Sequence, residues 1–266
     1  MNLPIRLPDS ITDRSDRAFR HLDLDAPTLV AMLVLPLLCN LLLWIGYAWL
    51  VEAWQQGFLL LGQWLGLEAR AALQEFVYLD GALRLAAPTL VGLAEEPQAQ
   101  HFLLNVGLAG VALLGSCLLR GAWLPLGYLL RLVAILWAAS LAFFHWLPGR
   151  FPHDSAGHIV GSLLLVQLLL GVLPWGLALV YYVFDFPFWQ KAAISILLLL
   201  WLALFAPVQY VLHALALQHG SLIVMPVLYV FAGLSLEVLL AVAFYGWAMG
   251  LPRNVARHPQ PHAQPV

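Results

Sequence analysis

The chain has 266 residues, of which 62% are hydrophobic and only 10% carry a charged side chain. A soluble domain of this length needs much more polar surface, so the composition excludes a soluble globular protein. The 12 basic and 14 acidic residues give a net charge of −2, which argues against a nucleic-acid partner. The sequence is instead typical of a multi-pass membrane protein whose main partner is the lipid bilayer.

Six apolar runs are each long enough to cross a hydrocarbon core, which needs about 20 helical residues. We therefore predict an all-α fold: a polytopic bundle of six transmembrane helices within residues 27–250. Residues 1–26 are predicted to form an N-terminal arm, and the proline-rich residues 251–266 a disordered tail. The predicted spans are 29–51, 102–119, 123–147, 158–184, 188–217 and 222–249.

The basic residues between the runs predict the orientation, because cytoplasmic loops carry an excess of arginine and lysine. With both termini in the cytoplasm, eight basic residues lie inside and three outside. We expect the protein in the inner (plasma) membrane of a bacterium. The inside set is Arg6, Arg14, Arg17, Arg20, Arg120, Lys191, Arg253 and Arg257, and the outside set is Arg70, Arg84 and Arg150.

Residues 52–101 form the one long external segment of this topology. Part of it has apolar residues at helical spacing, which predicts an amphipathic helix lying on the outer membrane surface or covering the bundle. The alternative is a seventh, weakly hydrophobic span that begins near Gly57. The apolar positions are Leu61, Trp64, Leu65, Ala72, Leu73 and Phe76.

A short polar hinge, residues 151–161, separates the third and fourth apolar runs. Asp154 and Ser155 are good N-cap residues and predict a helix that starts near Ala156, with His158 in its first turn. Asp154 and His158 are four residues apart, so a carboxylate can orient the imidazole there. The alternative is that the hinge has only a structural role, since Gly157 and Gly161 favour close packing of two helices.

Six of the nine histidines fall at or near the outer ends of the predicted spans. Such a group suits phosphoester or lipid hydrolysis by paired imidazoles, metal binding, or, least well, haem ligation. An interfacial belt of amphipathic side chains is the structural alternative. The histidines are His101, His145, His153, His158, His213 and His219.

The hinge also carries a local resemblance, which covers fewer than ten residues. Asp154, Gly157 and His158, followed by His213 or His219, resemble the D-x-S-G-H pattern and later histidine of the fat-storage-inducing transmembrane proteins. Ala156 replaces the serine of that pattern. A more remote similarity is to the type 2 phosphatidic acid phosphatases, although their first and last motifs are absent here. The resemblance implies a lipid phosphoesterase that faces outward.

The sequence thus predicts a hydrolase or transferase that acts on a lipid-linked phosphate of the cell envelope. His158 is the expected nucleophile or acid, Asp154 its orienting group, and His213 or His219 its partner, with Ser155 beside them. The alternatives are a non-catalytic subunit of an envelope-assembly or secretion complex, and a metal-binding membrane protein. No cofactor and no metal ligands are assigned.

Two charged residues lie inside predicted spans, where insertion is costly. Arg131 is shallow enough to extend its guanidinium towards the surface, whereas Glu237 lies near the middle of the sixth run. Their depths differ by only about 6 Å at the helical rise per residue. We therefore expect them to face each other or to share a polar cluster.

Overall fold

The computed structural model describes residues 26–68, 70–78, 80, 83–93, 97–183 and 188–249. These residues form long helices and one β-hairpin. The predicted tail and all but the last residue of the predicted N-terminal arm lie outside them. The elements are α1 (Ala26–Trp64), β1 (Arg70–Tyr78), β2 (Leu83–Val91), α2 (Ala99–Leu118), α3 (Leu124–Trp146), α4 (Ser155–Val183), α5 (Phe188–Gly220) and α6 (Leu234–Met249).

Five helical segments of the described residues are long and apolar enough to cross a membrane. Their outward side chains are apolar, as lipid contact requires: Trp49 is 80% exposed and Leu118 is 81% exposed. The predicted all-α class is confirmed, and the chain is an integral, multi-pass membrane protein. The segments are Met32–Trp64, Ala99–Leu118, Gly121–Trp146, Pro148–Leu179 and Phe188–Trp247.

Helix α1 is longer than predicted, because it continues past Val51 as far as Trp64. The extension is held by packing against α5. Trp54 is 1% exposed, and its Nε1 donates a hydrogen bond to the carbonyl of Ala203 at 2.8 Å. Gly57, where the alternative seventh span would have begun, therefore lies inside α1 beside Pro207.

Strands β1 and β2 pair in an antiparallel hairpin, so the predicted amphipathic helix is wrong beyond Trp64. Strand β2 packs against α1 and α4. The amide of Ala86 donates to the Tyr47 hydroxyl at 2.6 Å, and its carbonyl accepts from Gln167 Nε2 at 2.8 Å. Apolar spacing alone did not separate a helix from a strand here, and these contacts with α1 and α4 stabilise the strand.

The last apolar run is not one continuous helix. After Gly220 the chain forms 3₁₀ turns at Ser221–Val224, one α-helical turn and a π-helical turn at Leu228–Ala232 before α6 begins. We call residues 221–232 the link. Contacts of Gln209 with Glu237 and of His213 with Ala232 show that α6 runs back antiparallel beside α5.

Candidate functional site

One end of the bundle, which we call the histidine end, joins the start of α2, the end of α3, the start of α4 and the end of α5. There Asn105 Nδ2 donates to the carbonyl of Gly220 at 2.9 Å. The rings of Phe102 and His145 lie 6.4 Å apart. Since helices alternate in direction, side chains from distant parts of the sequence meet at this end.

His158 and His213 form a hydrogen-bonded pair at the histidine end, with their rings nearly coplanar and edge to edge. His158 Nε2 lies 3.3 Å from His213 Nδ1, and the ring planes differ by 12°. The side chains are 8% and 3% exposed. His213 lies seven residues before Gly220, about 10 Å along α5, so the pair lies deeper than the Asn105 contact.

The hydrogen bonds determine which ring nitrogens carry protons when both rings are neutral. His213 Nε2 lies 2.9 Å from the carbonyl oxygen of Ala232, which can only accept, so Nε2 carries the proton. His213 Nδ1 then accepts from His158 Nε2. The Nδ1 of His158 is left with its lone pair, and it is the basic nitrogen of the pair.

A cavity of about 530 Å³ lies beside His158. It lies between the hinge, the first turns of α4 and the link. Its polar side chains include His153, Asp154, His158 and Ser162, and the rest of the wall is mostly apolar. His158 therefore connects the cavity to the buried His213.

The start of α4 follows the sequence prediction. The carboxylate of Asp154 accepts a hydrogen bond from the Gly157 amide at 3.1 Å and so caps the helix, which begins at the buried Ser155. A Cβ atom on Gly157 would collide with that carboxylate. Asp154 thus bonds to the main chain of α4, while the bond of the His158 ring is to His213.

The other histidines of the predicted group have separate environments. His219 is exposed and lies six residues after His213 on α5. His153 and His145 are also exposed, and the His153 ring lies 5.6 Å from that of Phe151. His101 is buried, and its Nδ1 accepts from the amide of Gln98 at 3.0 Å.

A second buried polar cluster surrounds Glu237, which has no exposed surface. Its Oε1 accepts from the Tyr210 hydroxyl at 2.6 Å and from Gln209 Nε2 at 3.2 Å. The expected partnership with Arg131 is wrong, because the Arg131 guanidinium lies over the ring of Tyr128 instead. Similar depth along two helices did not place the two residues on facing sides of them.

Within the described ranges, no three His, Cys, Asp or Glu side chains are grouped so that they could hold a metal ion. In the pair of His158 and His213, both His213 nitrogens are engaged in hydrogen bonds. The arrangement that the structure does show is a pair suited to proton transfer.

The fold and this site define a multi-pass helical membrane protein with a buried histidine pair beside a cavity. Comparison with known proteins adds no family: no protein-family model, curated protein or solved structure matches the chain.

Proposed function

We propose that the protein is a six-span enzyme of the bacterial inner membrane that hydrolyses or transfers a phosphate ester carried by a lipid. The observation that supports the proposal best is the pair of His158 and His213. His158 lines a cavity. His213, which bonds to the Ala232 carbonyl, holds the His158 ring in a fixed tautomer. A base oriented in this way is what acid–base catalysis needs.

The six-span topology is supported by the reversal of the chain after Gly220. The apolar segment Phe188–Trp247 then supplies two antiparallel arms. With six spans, an even number, the proposed topology has both termini on the same side. The excess of basic residues places that side in the cytoplasm. The histidine end, with its cavity, consequently faces outward.

In the proposed reaction, His158 Nδ1 takes a proton from a water molecule while the water oxygen attacks phosphorus. The bond from phosphorus to the lipid oxygen breaks, and the imidazolium returns the proton to that oxygen. His213 orients His158, and its bond to Ala232 prevents it from turning. In a transferase, an acceptor hydroxyl takes the place of water.

The cavity wall supports an amphiphilic substrate. Phe151, Leu165, Met225 and Val230 provide apolar surface for a lipid chain. The exposed His153 ring is a donor available to the phosphate. The resemblance of the hinge to the fat-storage-inducing proteins supports the same class of substrate.

The test is phosphate release by the purified protein in lipid nanodiscs, with phosphatidic acid and a polyprenyl diphosphate as substrates. We expect His158→Ala to reduce the rate by about 10²-fold or more, since general acid–base groups contribute on this scale. His213→Ala should also reduce it, whereas His219→Ala is the matched control and should not. Activity that depends on His219 and not on His213 would contradict the proposal.

A second candidate, a non-catalytic subunit, is favoured by the hairpin. In the described residues β1 pairs only with β2, so one edge of β1 is open. Gln167, which bonds to Ala86 of β2, lies twelve residues into α4, about 18 Å from its start. An open strand edge is not tolerated against lipid at that depth, so a strand of a partner protein would cover it.

Photocrosslinking in cells separates the two candidates. A photoreactive residue at Val77, 61% exposed on β1, should join a subunit to one specific partner. Val111, 68% exposed on α2, is the matched control position. A partner joined at Val77 alone, with His158→Ala leaving the cellular phenotype unchanged, would favour the subunit over the enzyme.

A further inference from the structure

Glu237 is a buried acid that the proposed reaction does not use. Its side chain has no exposed surface, and both of its hydrogen bonds reach the same oxygen, Oε1. Its Oε2 and the Oε1 of Gln209 are buried without a hydrogen-bond partner. Two oxygens that can only accept are thus left without donors in one cluster.

The charge balance of this cluster favours a neutral carboxyl. No arginine or lysine of the described residues pairs with Glu237, whose polar contacts are Tyr210 and Gln209. A buried carboxylate without a cation is strongly disfavoured, and a proton removes that penalty. A proton on Oε2 also turns an oxygen without a partner into a donor.

A chain of hydroxyl groups connects Glu237 to the cavity. Ser162 lines the cavity wall and lies near the Tyr210 hydroxyl, to which its own hydroxyl can donate. The Tyr210 hydroxyl in turn donates to Glu237. Each hydroxyl can release one proton while it accepts another, so a proton can pass from cavity water to Ser162, from Ser162 to Tyr210 and from Tyr210 to the carboxylate.

The titratable groups that face this cluster come from three elements. His158 belongs to α4, Tyr210 and His213 to α5, and Tyr229 to the link. The rings of Tyr210 and His213 lie 4.9 Å apart, edge to face. Tyr245 lies two turns further along α6. No permanently charged side chain is among them.

We propose that Glu237 is a proton-binding site in the membrane interior, filled and emptied through Ser162 and Tyr210 from the cavity. The site takes a proton in exchange with water and needs no other ligand. It does not depend on which substrate the cavity binds, so it stands or falls separately from the proposed enzyme activity.

Infrared spectroscopy of the whole protein in nanodiscs tests this proposal directly. We expect the carbonyl stretch of a protonated carboxyl at neutral pH, absent from the Glu237→Gln variant. In D₂O the band should shift as the proton exchanges. Tyr210→Phe keeps the ring and removes the relaying hydroxyl, so the shift should slow by at least about tenfold.

Matched variants distinguish a proton path from general loosening of the bundle. Ser162→Ala should slow exchange, whereas Ser140→Ala removes a buried hydroxyl that bonds to the Ile223 carbonyl and should not. A protonated-carboxyl band that persists in Glu237→Gln would overturn the proposal. Proton exchange at the same rate in Tyr210→Phe would also overturn the proposal. A carbonyl band that appears only when sodium is withdrawn would overturn it in favour of a cation site.

Discussion

Asn105 and Glu237 are both polar, both fully buried, and differ in how well they are bonded. The Asn105 amide donates to the carbonyls of His101 and Gly220, and its oxygen accepts from Trp137 Nε1 at 2.7 Å. Glu237 has two bonds on one oxygen and none on the other. Asn105 therefore joins α2, α3 and α5, whereas Glu237 has one oxygen without a hydrogen-bond partner.

The difference shows which buried polar group serves the fold. An amide does not titrate, so a change of pH does not alter the donors and acceptor that Asn105 offers. A carboxyl can gain or lose a proton, and an oxygen without a partner keeps that change possible. We therefore expect Asn105 to serve the stability of the bundle, whereas our proposal gives proton binding to Glu237.

The largest expected effect is on the well-bonded cluster. Asn105→Leu removes the partner of the half-buried Trp137 Nε1 and the amide donor to the Gly220 carbonyl, so we expect the free energy of unfolding to fall by about 2 to 3 kcal/mol. Unfolding of the purified protein in detergent measures it. Leu103→Ala is the control, because the Leu103 side chain on α2 is 76% exposed. Equal losses in the two variants would show that the amide does not tie the helices together.

A smaller effect is expected at the start of α6. A Cβ at residue 233 would lie 2.8 Å from the Tyr229 carbonyl oxygen, which belongs to the main chain and cannot easily move. Gly233→Ala should lower the free energy of unfolding by about 1 to 3 kcal/mol. Gly246→Ala, where a Cβ meets nothing within 4 Å, should be neutral or stabilising. The same detergent unfolding experiment compares the two, and a neutral Gly233→Ala would mean that the link can adapt.

The smallest effect is expected at Glu237 itself. Glutamine keeps the oxygen that accepts from Tyr210 and places a donor where a protonated carboxyl has one. We expect Glu237→Gln to change the free energy of unfolding by less than about 1 kcal/mol. A loss as large as that of Asn105→Leu would show that this cluster, too, mainly holds the fold together.

The sequence predicted the helices better than it predicted their contacts. Length and hydropathy determine a membrane span, so the ends of α2, α3 and α4 lie within three residues of the predicted runs. Residues 70–91 were missed because their apolar spacing fits both a helix and a strand, and the deciding contact joins Ala86 to Tyr47 and Gln167. Contacts so distant in sequence leave no local pattern.

The candidate site was predicted in part for the same reason. Capping by Asp154 is a local property and is confirmed. The choice between His213 and His219 as partner of His158 was not local: the two point about 120° apart around α5, and packing decides which face is buried. The partners of Glu237 were missed because depth along a helix gives no facing direction.

The length of α1 has a consequence for the lipid around the protein. Its 39 residues extend about 58 Å, against a hydrocarbon thickness of about 30 Å. Exposed apolar side chains occur along it from Leu29 to Trp64, with the exposed Glu52 and Gln56 among them. Tilting, bending at Pro36, local thickening of the bilayer or extension of one end beyond the hydrocarbon therefore absorbs the mismatch. Tyr47 joins this helix to the hairpin, and Trp54 joins it to α5. Bilayer thickness therefore acts on the same helix that holds the hairpin against the bundle.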